Sequence, residues 1–211
     1  MARRTKEDAQ ATRAAVLDAA ERVFLQRGVA RTSLAEIAQA AGVTRGAIYW
    51  HFKDKADVFT AMMERVTLPL EAEIAKVAQA EGDPVAQLRQ RVQVAIRQIV
   101  GDAQTRRVVE IAMLLVEHVD ELGALRTRHA EAVQGKVALF ALILGNAARQ
   151  RGVRLPAPAA TLARGLDALL FGLIHHWLLE RGFALEAEAA EAMDAYLRGI
   201  GLPPVPERDR G

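Results

Sequence analysis

The chain has 211 residues, 51% hydrophobic and 26% charged, with a formal net charge of +2 and no cysteine. That length holds one large domain or a small one joined to a larger one, with enough apolar residues for a real core. The missing cysteines exclude a disulfide framework and a thiolate metal site. The polar first twenty residues have no apolar core of the kind a secretory signal needs. The longest apolar stretch, Leu166 to Leu179, is too short to span a bilayer and contains His175 and His176. A cytoplasmic protein with no membrane partner is expected.

Helix formers dominate and proline is sparse, so the fold class is expected to be all-α. Residues 1–60 carry ten Lys and Arg against seven Asp and Glu, whereas the remainder carries 18 against 19. The excess is led by Arg3, Arg4 and Lys6, which suits a DNA-contacting end joined to a neutral body.

The first helix is predicted from Lys6 to Gln26, where Val16, Ala20, Val23 and Phe24 recur at helical spacing before Gly28. Ser33 and Glu36 then form a capping box for a short helix, Leu34 to Ala41, which Gly42 ends. Thr44 caps a third helix, Arg45 to His51, about 10 Å long. Asp54 caps a longer one from Lys55 to about Ala80, in which Pro69 cannot donate to the Arg65 carbonyl and should kink the helix. Five further helices are predicted: Val85 to Val100, Gln104 to about His118, Asp120 to Arg151, Ala159 to Arg181, and Glu186 to Arg198. From Pro203 onward the chain reads as a frayed tail.

A long helix followed by two short ones, with Gly42 at the turn, matches a helix-turn-helix. Ile37, Ala38, Ala41, Val43, Ile48 and Phe52 would lock the two short helices together. With Ile48 and Phe52 turned inward, Arg45 and Tyr49 share an outward face suited to a major groove. Arg45 is the candidate for bidentate contact with a guanine. Gly46 lets the backbone approach closely. Thr44, Tyr49, Trp50, His51 and Lys55 offer donors to phosphates, which fix register. Ser33 brings helix N-terminal amides suited to a phosphate, and Arg3 and Arg4 would reach along a groove as an arm. Packing of Tyr49, Trp50 and His51 beneath the long fourth helix stays open, as does a purely capping role for Ser33 and Thr44.

The run TSLAEIAQAAGVTRGAIYWHFKDKADVF resembles the N-terminal domain of the tetracycline-repressor (TetR) family, with Thr32, Ile37, Ala38, Gly42, Val43, Tyr49, His51, Phe52 and Lys55 on its signature. The opening, ARRTKEDAQATRAAVLDAAERVFLQRGVARTSLAEIA, is similar to the branch that represses multidrug-efflux operons, of the AcrR, TtgR and MexZ kind, as are DAQTRRVVEI and GLIHHWLLE. The resemblance implies roughly nine helices, a homodimer, a palindromic double-stranded operator, and release by a small hydrophobic effector such as an antibiotic. Regulation of metabolic or stress genes, and release by a protein antirepressor, are the alternatives within the family. Residues 1–54 would form the DNA-binding domain and 55–211 the ligand-sensing and dimerisation domain.

Two features of this second part follow from the residues. Leu162, Leu166, Leu169, Leu170 and Leu173 make a leucine stripe on a helix apolar nearly all round, which needs a partner on each side. Leu162, Leu166, Leu169, Leu173 and Trp177, with Met193 and Tyr196 of the last helix, are therefore expected at a dimer interface, a fully buried core helix within one chain being the alternative. Met62, Val66, Ile96, Val100, Met113, Leu114, Ile143 and Phe171 would line a common interior able to adapt to varied ligands. Thr67, Val109 and His175 complete that candidate set. Ordinary core packing is the competing reading for each. Relatives in the efflux branch carry polar groups on stretches where this chain has Val109, Met113 and Phe171. Pro69 is either a hinge between sensor and reader or a simple bend.

An enzyme is the rival class. His176 and Glu180 share one helix face, but a metal site needs three or four ligands. No phosphate loop or nucleophile motif is present. No cofactor, metal or catalytic residue is expected.

Overall fold

The computed structural model describes residues 2–77, 81–115 and 123–204; the side chains of residues 2–5, 70, 123–126, 128 and 129 lie outside the description. Among the described residues there are nine helices and no strand. They are α1 (Ala2–Arg27), α2 (Leu34–Ala41), α3 (Arg45–His51), α4 (Lys55–Val77), α5 (Pro84–Gly101), α6 (Ala103–Leu114), α7 (Gly123–Arg151), α8 (Ala159–Glu180) and α9 (Leu185–Gly199). The expected ends at Ala80 and His118, and the expected start at Asp120, lie outside the described residues.

Local chemistry sets the ends. Ser33 Oγ accepts the Glu36 amide while Glu36 Oε2 accepts the Ser33 amide, the reciprocal box that starts α2. Gly42, at φ +69°, closes it: the Val43 amide reaches back to the Ala38 carbonyl at 3.0 Å, a turn that requires the left-handed region. Asp83 caps α5, whose first residue is Pro84, where a missing amide costs nothing. The α1 helix begins earlier than expected and takes Arg3 and Arg4 into its first turn.

Two compact units result, one of Met1–Leu68 with Ala103–His129, the other of Pro69–Asp102 with Ala130–Gly211. The division falls at Pro69, inside α4, which runs on through the proline to Val77. In the first unit, Leu17, Phe24, Ile37, Ile48, Phe52, Val58 and Met62 form a core completed by Val108 and Ile111 of α6. In the second unit, α9 packs on α5 and on α8. Arg89 of α5 makes a bidentate pair with Asp194 of α9, at 2.6 and 2.9 Å. Arg151 at the end of α7 binds both Asp83 oxygens, at 2.8 and 2.7 Å, and the Pro203 carbonyl at 2.6 Å. Pro203 is therefore held rather than frayed, and Leu202 beside it is fully buried.

The leucine stripe of α8 turns inward. Leu162, Leu166, Leu170 and Trp177 are buried within the chain itself, as is Met193. Four of the expected interface residues (Leu162, Leu166, Trp177 and Met193) therefore have little or no surface left to offer a partner. Tyr196 is also committed internally, its hydroxyl donating to the Leu162 carbonyl at 2.7 Å. Leu169 and Leu173 are half-buried at the stripe's edge. A helix with apolar residues on every face does not reveal from periodicity which face meets its own chain. The outward face instead carries Ala168, Phe171 (48% exposed) and Leu179 (59% exposed), with half-buried His175 stacked on Phe171.

Candidate nucleic-acid interface

Seven residues form α3, and its orientation is set by what it buries. Ile48 and the following Phe52 lie in the first unit's core, so the residues between them must point outward. Thr44 Oγ1 accepts the Ala47 amide at 3.1 Å, fixing the first turn and leaving the hydroxyl proton available. Arg45 and Gly46 are exposed on that turn. Tyr49 is 61% and Trp50 74% exposed, which rules out packing of Trp50 under α4. Two large rings left in water on one short helix mark a contact surface.

The glycine at 46 has no internal cause. Its φ is ordinary, and a Cβ there would meet nothing nearer than Thr44 Oγ1 at 3.9 Å. Nothing within the chain requires a bare backbone at that point.

Other expected contact residues are partly spent on the fold. The Ser33 hydroxyl both accepts from the Glu36 amide and donates to Glu36 Oε2, at 2.8 Å, so Ser33 acts as a cap with an anion against it. Hydrogen bonding from Ser33 holds the Glu36 carboxyl below its ordinary range, so that anion persists. Lys55 donates to the Ala30 carbonyl at 2.7 Å and ties down the loop before α2. Arg3 and Arg4 lie on the α1 backbone, and their side chains are outside the described residues.

His51 sits between Trp50, whose ring meets it edge-on at 4.6 Å, and Phe52. Partial burial and the nearby Arg13 guanidinium push its pKa below the ordinary 6.5. At neutral pH the ring is a neutral donor, not a cation. Arg13 was not legible as a site residue. It lies on α1 with its guanidinium 5.3 Å from the centre of the buried Phe52 ring, and only the tertiary approach of α1 to α3 puts that charge near His51.

The expected effector residues divide. Met62 and Ile143 are fully buried core side chains. In the first unit, Val66, Thr67, Val109, Met113 and Leu114 are half-buried. In the second, Val100 and His175 are half-buried, and Phe171 is too exposed to line that unit's interior. Ile96 forms part of a cleft of about 250 Å³ between α5 and α9, with Val92, Gln93, Arg97 and Met193. Among the described residues no helix is long and apolar enough to cross a membrane.

Comparison with known proteins sharpens this picture. Residues 16–62 match the family model described as bacterial regulatory proteins, tetR family. Residues 83–201 match that of the MAATS-type transcriptional repressor, C-terminal region. The chain is 40% identical over 181 residues to the HTH-type transcriptional regulator TtgR of Pseudomonas putida, covering 85% of this chain and 86% of that protein. It superposes with a TM-score of 0.83 and 36% identity on NalD of Pseudomonas aeruginosa, described as the secondary repressor of the MexAB-OprM multidrug efflux pump; 92% of this chain and 98% of that one are covered. A complex of SmeT with triclosan gives a TM-score of 0.81 at 32% identity, covering 94% and 100%. SmeT is described as the repressor of the Stenotrophomonas maltophilia efflux pump SmeDEF.

Proposed function

The chain belongs to the TetR family of bacterial regulatory proteins, and from that premise we propose that it is a DNA-binding repressor of a multidrug-efflux operon, released by a small hydrophobic compound. One observation carries the DNA-binding reading: α3 presents Arg45, Gly46, Tyr49 and Trp50 outward while Ile48 and Phe52 anchor it. Arg45 reads a base edge, Gly46 admits the backbone, and Thr44, Tyr49, Trp50 and His51 donate to phosphates. Arg13 joins them from α1.

Function as a homodimer on a palindromic operator follows from one reading helix per chain, since two helices one turn of DNA apart read two half-sites. The outward α8 face with Ala168, Phe171, His175 and Leu179 supports this pairing, because exposed apolar side chains on one helix face want a partner. The efflux assignment is supported by NalD and SmeT, and the effector class by triclosan in SmeT. Half-buried Val66, Thr67, Val109, Met113 and Leu114 are the expected effector residues of α4 and α6 with surface left for such a compound. The division of labour is drawn at residues 54 and 55, with reading before and sensing after.

Footprinting on the DNA upstream of the chain's own gene tests the reading. A protected palindrome is expected, with affinity falling steeply as salt rises and protection released by triclosan or a related apolar drug. No protection at low salt sinks the repressor reading; protection that no apolar compound releases sinks the effector class and favours a protein antirepressor.

A further inference from the structure

Glu21 lies on α1 with its side chain buried in the first unit. A carboxylate there is tolerable only if donors surround it, and three side chains supply them. Arg65 of α4 pairs with Oε1. Gln104 of α6 donates to the same oxygen at 3.0 Å, and Arg107 of α6 donates to Oε2 at 3.5 Å. Arg65 also reaches Asp18 on α1, at 2.8 Å.

The positions of these partners along the chain are informative. The chain leaves the first unit after Leu68 and returns at Ala103. Arg65 stands within one turn of the departure, and Gln104 and Arg107 within about one turn of the return. One carboxylate on α1 thus gathers donors from both ends of the excursion into the second unit. Apart from Thr32 and Thr105 the rest of that core is apolar, and apolar contacts fix distance better than orientation. Hydrogen-bonded ion pairs are directional.

We infer that Glu21 is a positioning residue, which fixes α4 and α6 against α1 in the arrangement that presents α3 to DNA. It touches no DNA itself and acts through α1, which packs on both α2 and α3. The inference rests on the repressor reading. Replacing a whole buried pair by apolar groups often changes stability little, whereas removing one partner destabilises. A loss of stability alone therefore does not establish the role, and affinity is read at retained helicity.

The test uses the full-length chain carrying Glu21→Gln, Arg107→Gln, or both. Binding to the upstream duplex is followed by anisotropy, and amide exchange is followed on the free protein. Each single variant should keep its helicity and lose about tenfold in affinity, and the double variant should lose no more than the worse single one, because both remove one interaction. Exchange in free Glu21→Gln should quicken around Arg65 and Arg107 as well as around residue 21. Unchanged affinity, additive losses, or quickening confined to α1 overturn the inference. If the unaltered chain binds no duplex, the repressor reading fails and the exchange data alone judge Glu21. If Glu21→Gln does not fold, Arg107→Gln and Gln104→Met carry the same comparison.

Discussion

Tyr196 of α9 crosses so close over Gly165 of α8 that a Cβ at position 165 would fall 2.6 Å from the phenol oxygen. That oxygen donates to the Leu162 carbonyl at 2.7 Å, so it cannot retreat without breaking a hydrogen bond. Gly165→Ala should therefore destabilise the second unit by about 1–3 kcal/mol, the usual range for overpacking, less the small helix-propensity gain of alanine. With Tyr196→Phe already in place the clashing atom is gone, and the same substitution should cost clearly less. Urea unfolding of the two singles and the double checks this; equal costs in both backgrounds would refute the steric account.

Gly46 makes the opposite prediction. Nothing in the chain crowds it, so Gly46→Ala should fold normally and gain some stability, at most the roughly 0.5–1 kcal/mol of a helix interior because position 46 lies in the first turn. Operator affinity should nevertheless drop. A stabilised variant with undiminished binding would show that no backbone approach occurs there.

Arg45→Ala and Tyr49→Ala remove exposed side chains that hold no part of the core. Loss of a bidentate base contact by Arg45 should cost roughly 1–3 kcal/mol of discrimination. Tyr49→Ala should weaken all sequences alike. Mobility shifts with operator and scrambled duplexes separate the two effects, and unchanged preference in Arg45→Ala refutes its role.

The outward face of α8 can be charged without touching the core. Phe171→Glu with Leu179→Glu places charges on two exposed positions, so each chain should fold but remain monomeric by light scattering and lose operator affinity. A dimer that survives both changes lies elsewhere.

For His51, burial and then Arg13 favour the neutral ring. The unfolded chain takes up this proton near 6.5 and the folded chain only at lower pH. Between the two values the unfolded state binds more protons, so this contribution is intact above 6.5 and lost as the pH falls through that window. His51→Gln should flatten the acid side of a urea-midpoint profile there. An identical profile would show that the ring titrates alike in both states.

Much of the fold was legible because its signals are local. The Ser33 and Glu36 box, the Gly42 stop and the Thr44 cap each depend on atoms within a few residues of one another, and the reading of α2 and α3 rested on them. The outward set on α3 followed from the burial of Ile48 and Phe52, four residues apart on one face. Less legible was α8, where apolar residues on all sides let the leucine stripe pass for an outer surface. Its true outer face, with Phe171 and Leu179, is set by which side α9 covers.

By itself, then, the sequence determined the order of the helices, their caps, and the residues that α3 turns outward. Those depend on hydrogen bonds and periodicities that reach no further than one helical turn. Only the tertiary structure decided that Lys55 holds a loop and that Arg13 lies over Phe52. It also decided that Glu21 is buried against Arg65, Gln104 and Arg107, and that the leucines of α8 face inward. Each of these depends on which helix lies against which, across separations of 25, 34, 39, 44, 83 and 86 residues, and no local pattern encodes such a pairing.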